Sequence, residues 1–509
     1  MIRKLLLLCS LLCLPLSQAR ADTPDNPQAV LHVLNRLGYG PRPGDVQMVE
    51  ALGLQHYIDL QLHPDQIPMP DPLMQQLAAL PGYGLSEGEL FREYGPPEKE
   101  TITDDASKEQ FKQRQKQLAQ AEVAARLLRG LESPRQLQEV MTEFWFNHFN
   151  VFEGKGLDRL WVQNFEDTAI RPYAMGRFRD LLGATAHHPA MLFYLDNWQS
   201  SAPRDPRPGK PKPAGLNENY ARELLELHTL GVNGGYTQDD VIALARILTG
   251  WTINRKGMRQ GDDQAFWFNP RQHDMGDKVF LGEHIQGSGQ DEGEHALDVL
   301  ASSPVTAHHI CYQLVQFFVA DEPDPRLVDQ LVKTWLHSDG DLTAVLTDLF
   351  HSNDFRNTRD YGNKLKTPYQ FALSAVRAAD VPVINLRPIA GFLQQAGQPV
   401  YGWQTPDGYK SVADAWVNPD AILRRINFAT ALGSGHMPLN TIPADDPAPA
   451  AASALVAATP SVPVIPLDAG AILQTLGGSI SDTTRQIVAS SPPFTQAALV
   501  LGSPDFMKR

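Results

Sequence analysis

Cysteine is almost missing from this chain: 509 residues contain 3, at Cys9, Cys13 and Cys311. The first two fall in an N-terminal leader. Loss of that leader leaves Cys311 alone, which excludes an intramolecular disulfide and any thiolate metal site. Cys311 sits in the apolar helical run Ile310-Cys311-Tyr312-Gln313-Leu314-Val315 and reads as a buried, inert thiol. Long apolar runs are also lacking, since no segment after the leader approaches the roughly 20 residues of a membrane span. Basic charge is scarce: 44 Lys and Arg against 58 Asp and Glu give a formal net charge of −14. Such an excess of acid excludes general binding to a phosphate backbone. There is no His-Glu-x-x-His pair, no Walker loop and no dinucleotide glycine fingerprint behind a strand. Gly84-Leu85-Ser86-Glu87-Gly88 has nucleophile-elbow spacing, but without a preceding strand or a following helix it reads as coincidence in a Gly/Pro-rich loop.

The N-terminus carries the firmest local signal. Arg3 and Lys4 precede the apolar run from Leu5 to Leu16, and Ala19-Arg20-Ala21 places small residues where a signal peptidase reads. Residues 1–21 are expected to be a secretory signal peptide cleaved before Asp22, with the protein exported to the periplasm or beyond the cell. Removing Arg3, Lys4 and Arg20 takes three positive charges from −14 and leaves −17.

Helical signals dominate the rest of the chain. Asn26-Pro27 opens a helix through Leu37, and Pro43-Gly44-Asp45 opens one reaching Leu62. Further helices are expected over 104–130, from Ser133-Pro134 to Phe149, from Leu216 to Leu230, and after the cap Thr237-Gln238-Asp239-Asp240. The same period recurs near 304–319, 325–337, 341–351, 365–379 and 419–433. One β-hairpin is expected, pairing Phe266-Trp267-Phe268 with Val279-Phe280-Leu281 across Asp274-Met275-Gly276-Asp277. Proline-rich residues 200–215 read as a loop, and Ala/Pro-rich residues 442–466 as a linker or long surface loop. The expected organisation is a main helical domain over 22–441, that linker, and a helical segment over 467–509. The fold class is mainly α, an irregular multi-helix body with a small β-hairpin.

Three polar clusters stand out. In Asn217 to Gly231, Glu218, Asn219, Arg222, Glu223 and Glu226 share one helical arc of about 140°. Either Arg222 forms an i,i+4 ion-pair ladder with Glu218 and Glu226, or the crowded carboxylates serve acid/base work or cation binding. His228 lies beside the aliphatic face. The second cluster, Phe144-Trp145-Phe146-Asn147-His148-Phe149-Asn150, sets polar groups among aromatics. They either close a structural hydrogen-bond network or face an aromatic-walled pocket of the kind that holds sugars and other small ligands. The third is His273-Asp274, either Asx-turn chemistry or a metal ligand and base, with Lys278 nearby as an ion-pair partner. The adjacent pairs His187-His188 and His308-His309 point about 100° apart on a helix and carry no chelation signal.

These residues resemble a known family. Asn217 to Leu230, Gly234-Gly235-Tyr236-Thr237-Gln238-Asp239-Asp240-Val241, Ala245-Arg246 and Leu248-Thr249-Gly250-Trp251 are similar to the signature block of the "domain of unknown function 1800" family. Leu34 to Gly40, Trp145 to Phe149, His273 to Lys278, Lys366-Thr367-Pro368, Gly397-Gln398-Pro399 and Gly502 to Phe506 agree with it. The resemblance implies an exported, all-α bacterial protein. It also implies a co-exported partner resembling the sulfatase-like "domain of unknown function 1501" family. It assigns no reaction.

Two functions are compatible with these residues. One is a hydrolase acting on an envelope or extracellular polymer. Its catalytic residues would be Glu223, Glu226, Arg222 and His148, and a divalent metal would be held by His148, Glu226, His228, His273 and Asp274. The other is a non-catalytic binding or assembly protein serving an exported partner.

Overall fold

A computed structural model describes residues 26–97, 104–203, 215–441 and 465–509. The leader, most of the 200–215 loop and most of the 442–466 stretch lie outside the described residues. Local chemistry sets many helix boundaries. Asn26 accepts from the Gln28 N–H at 3.0 Å ahead of the Pro27–Arg36 helix. Thr237 and Asp240 cap each other reciprocally on the Gln238–Ile247 helix. The run expected over 45–62 is two helices, Asp45–Leu52 and Leu54–Leu62, because Gly53 stands between them at φ +87°. A left-handed residue cannot continue a right-handed helix.

The helix expected from Leu216 to Leu230 spans only Asn219–Glu226. Asn217 Oδ1 accepts from the Asn219 N–H at 2.9 Å and turns the chain just ahead of it. Beyond Glu226 the His228 N–H reaches back five residues to the Glu223 carbonyl, and the Gly231 N–H to that of Leu225. Ser86, by contrast, does precede a helix. Its Oγ accepts from the Glu89 N–H at 3.2 Å and caps Glu87–Tyr94, so the elbow-like pattern is a helix cap.

The fold is mainly α with two small antiparallel pairs of strands: Trp251–Ile253 with Phe266–Phe268, and Lys278–Phe280 with Glu283–Ile285. The two runs expected to form one hairpin therefore take different partners. The segment between them is drawn away. His273 Nδ1 lies 2.7 Å from the Thr249 carbonyl, and the Asp274 N–H donates to Thr249 Oγ1 at 2.9 Å.

One continuous apolar core takes in residues from Val30 to Met507, so the C-terminal helices pack into the main body. Pro493–Leu501 lies along Pro419–Gly433 so closely that a Cβ on Gly433 would meet the Ala498 backbone at 2.5 Å. The last residues tie back to the chain before the Pro368–Ala379 helix, with the Lys366 N–H on the Met507 carbonyl and the Arg509 N–H on that of Lys364. Among the described residues no helix is long and apolar enough to cross a membrane.

Candidate active site

A cavity of about 210 Å³ opens where four helices and one loop converge. The Gln136–His148 helix supplies Glu143, Phe144, Phe146, Asn147 and His148. Gln136, Glu139, Glu143 and Asn147 recur every three or four positions, so they form one polar stripe along this helix. The Asp105–Glu132 helix contributes Arg126, Pro304–Phe318 contributes Gln313, Gln316 and Phe317, and Pro368–Ala379 contributes Tyr369. The loop from Gln398 to Ser411 covers this floor and carries Tyr401, Asp407, Tyr409 and Lys410 to the opening.

Asparagines hold the loop in place. Asn147 donates from Nδ2 to the Tyr409 carbonyl and accepts from the Tyr409 N–H through Oδ1, both at 2.6 Å. Asn150 donates to the carbonyls of Trp403 and Thr405 at 3.1 and 2.9 Å. Gly408 sits at φ +63°, where a Cβ would stand 2.1 Å from the Asn147 carbonyl oxygen, so only glycine fits. Tyr401 also holds a left-handed backbone, at φ +58°, a conformation that costs about 1–3 kcal/mol and persists only where surroundings over-determine it. Here its hydroxyl donates to Glu166 Oε2 at 3.2 Å, and its ring packs 4.9 Å from that of Phe146.

The charged groups divide by environment. Arg126 is stacked among Phe146, Tyr401 and Tyr369, its guanidinium carbon 4.9, 5.2 and 5.4 Å from their centroids. Its Nη1 lies 3.1 Å from Glu166 Oε2. Behind it, Arg171 bridges Glu139, Glu166 and Asp167 in a buried ionic knot. Glu143 is buried, with Oε1 3.4 Å from Gln370 Nε2 and Oε2 without a hydrogen-bond partner. Burial pushes its carboxyl above the usual carboxylate range, although Arg126 and Arg509 oppose the shift. Asp407 goes the other way. Burial would raise it, but donors from Lys410 (2.8 Å), Thr405 (2.6 Å) and Trp403 (3.0 Å) bring it down to about 2.

His148 faces the same cavity. Burial, then the nearby His309, lowers its imidazole to about 3, so the ring is neutral. Nε2 lies 3.1 Å from the His228 carbonyl and Nδ1 lies 3.0 Å from Gln313 Oε1, and a neutral ring has one N–H to give to one of these two acceptors. The rings of His228 and His309 lie 6.1 and 6.4 Å from it, and His228 Nε2 is buried without a partner.

Residues 32–508 match the family model described as "Protein of unknown function (DUF1800)". The chain belongs to that family. No curated protein and no solved structure matches it. The chemistry open to this DUF1800 member therefore rests on its own geometry.

The residues singled out in its sequence fall into three places. His148 lines the cavity, with His228 directly behind it. The acidic–arginine ridge lies mainly at the surface. Arg222 reaches Glu218 at 3.4 Å and Glu226 at 3.5 Å, and these side chains are 38%, 38% and 26% exposed. That is the ion-pair ladder. Glu223 is half-buried, its carboxyl raised by burial, by Glu226 and in part by Asp407, which links it to the cavity rim. His273 and Asp274 belong to a separate buried network. His273 Nε2 lies 2.9 Å from Glu292 Oε1, Lys278 pairs with the other oxygen of Glu292, and Asp274 takes the Arg246 fork at 2.7 and 3.2 Å. The shared metal centre expected of His148, Glu226, His228, His273 and Asp274 does not assemble. Among the described residues no three His, Cys, Asp or Glu side chains are grouped to hold a metal ion. The physical reason is that the donor atoms are already committed: both nitrogens of His148 and His273 have partners, and Glu226 serves Arg222.

Arg126, Glu143, Tyr401 and Asp407 escaped the sequence reading. Glu143 had a usable signal, the polar stripe through Glu139 and Asn147. Arg126 sits in a strongly charged helix whose burial depends on neighbours far along the chain. Asp407 lies in a loop without period.

Proposed function

We propose that this chain is an exported hydrolase that cleaves a glycosidic bond in an envelope or extracellular polymer, with Glu143 as acid and Asp407 as base. One observation carries the reading: two carboxyl groups facing one cavity are pushed in opposite directions, Glu143 upward by burial and Asp407 down to about 2 by three donors. Such divergence is how a single site keeps one carboxyl protonated and its neighbour ionised. Aromatic rings among amide side chains also suit a sugar, whose faces are apolar and whose edge is hydroxyl-rich.

In the proposed step Glu143 gives its proton to the glycosidic oxygen as the bond from that oxygen to the anomeric carbon breaks. Asp407 takes a proton from the attacking water, whose oxygen bonds to the anomeric carbon. Proton exchange with solvent restores both groups. Neutral His148, with both nitrogens beside protein partners, lines the cavity wall and carries no charge. Export rests on the basic start, the apolar run and the small residues before Asp22. N-terminal sequencing of the exported protein is expected to begin at Asp22.

The catalytic test is a reducing-end assay on extracellular polysaccharides with the wild type, Glu143→Gln and Asp407→Asn. Each variant is expected to lose about 10²-fold or more in kcat while still binding polymer. Polymer binding by the wild type without release of reducing ends would overturn the hydrolase reading and leave a non-catalytic binding protein.

A further inference from the structure

Three histidines from separate parts of the chain meet at one side of the cavity. His148 ends the Gln136–His148 helix and lines the cavity, His309 belongs to the Pro304–Phe318 helix, and His228 follows the Asn219–Glu226 helix. The rings of His228 and His309 lie 6.1 and 6.4 Å from that of His148. Phe149 packs 4.6 Å from His148 and 5.0 Å from His228. Among the described residues none of the three has a carboxylate partner, whereas buried His188 and His273 face Glu87 and Glu292.

The neighbouring groups bring no negative charge to these rings. His308 stands beside His309 on its helix, and the Tyr220 ring lies 6.5 Å from His228. Glu226 is engaged by Arg222, and Glu223 lies beside both. His148 shares the cavity with Arg126, Glu143, Asp407 and Lys410, where Lys410 holds Asp407 and burial keeps Glu143 protonated. Burial therefore lowers all three imidazoles, helped by His309 at His148, by His148 at His228 and by His308 at His309. The His228 carbonyl and Gln313 favour a charged His148, but burial outweighs them.

The segment against these rings is the turn Leu227–Gly235, with Gly231 and Gly235 at φ +84° and +81°. Gly231 rests on His309, where a Cβ would stand 2.9 Å from Nδ1, and Leu227 lines the cavity. The His228 and Gly231 amides tie the turn to the Glu223 and Leu225 carbonyls, each at 3.1 Å.

We infer that the Leu227–Gly235 turn is an acid-sensitive wall of the cavity: on acidification it lifts from His148 and His309, the three rings take up protons in water, and Leu227 leaves the lining. This names a regulation of the proposed site, and rests on the glycosidase reading only for its effect on turnover. The closed wall binds fewer protons than the lifted one, so it is favoured at neutral pH and loses ground as pH falls. Histidine in water titrates near about 6.5, so each pH unit below that favours the lifted turn by up to about tenfold per ring. At about pH 4.5 this reaches about 100-fold for one ring and about 10⁶-fold for three.

Hydrogen exchange on the mature protein at about pH 7 and about pH 4.5, corrected for the intrinsic pH dependence of exchange, tests this. Protection of the His228 and Gly231 amides is expected to fall by about 100-fold or more, while the Pro325–Ser338 helix keeps its protection. His228→Leu and His309→Gln, each checked for folding by thermal denaturation, should shrink that fall by about tenfold or more. No loss of protection at His228 and Gly231 overturns the inference, and so does an equal loss throughout the fold. An undiminished fall in folded variants overturns it too, and the wild-type comparison decides the question if the variants unfold. Where the wild type hydrolyses polymer, kcat/KM should fall together with protection. Hydrolysis at no pH removes the glycosidase reading and leaves the exchange result standing.

Discussion

Replacing Asn147 by alanine tests whether one side chain assembles the cavity. Its amide provides both hydrogen bonds that hold the Tyr409 backbone, each at 2.6 Å. Removing it deletes two bonds worth roughly 1 kcal/mol each, and leaves a partly buried N–H and C=O that cost more when unmet. The expected loss is about 2–4 kcal/mol, located in the loop that carries Asp407, Tyr409 and Lys410. Two readouts separate local from general damage. Hydrogen exchange at the Tyr409 amide should accelerate by roughly two orders of magnitude or more, since each 1.4 kcal/mol is tenfold. Exchange in the distant Pro325–Ser338 helix should change far less. Asn147→Asp keeps the acceptor for the Tyr409 N–H but turns an oxygen against the Tyr409 carbonyl, so it should rescue poorly. Unchanged protection at Tyr409 in Asn147→Ala, with stability within about 0.5 kcal/mol of wild type, would refute this role for Asn147.

Burial raises Glu87 to about 7 from 4.5, while its Oε2 accepts from the Ala265 N–H at 2.7 Å. A raised acid destabilises the fold as pH climbs from its unfolded to its folded value, so wild type should lose about 2–3 kcal/mol between pH 5 and 8 at this site. Glu87→Gln should remove that loss, as urea midpoints at the two pH values would show, and parallel pH curves would contradict it. Arg222→Ala breaks an exposed ladder and should cost under about 1 kcal/mol in denaturant titration without changing ligand affinity. Glu292→Ala leaves Lys278 buried without its counter-charge and should cost about 3–5 kcal/mol, read from the urea midpoint; a milder effect would mean water reaches the lysine.

The sequence by itself determined what depends on neighbours along the chain. Caps such as Asn26 and Thr237, proline at helix starts, and the 3.6 period of Pro304–Phe318 and Pro325–Ser338 act over a few residues, and the structure keeps them. The i,i+4 ladder of Glu218, Arg222 and Glu226 was legible for the same reason. Local signals failed where a distant group intervened. Thr249 draws His273 and Asp274 back and breaks the expected hairpin. Only tertiary structure decided the candidate site. Arg126, Glu143 and Asp407 come from separate elements, up to 281 positions apart (407 minus 126), and meet because the aromatic core packs around them. Whether a carboxylate is an ion-pair rung or a raised acid depends on water and nearby charge in space, and no spacing along the chain encodes that.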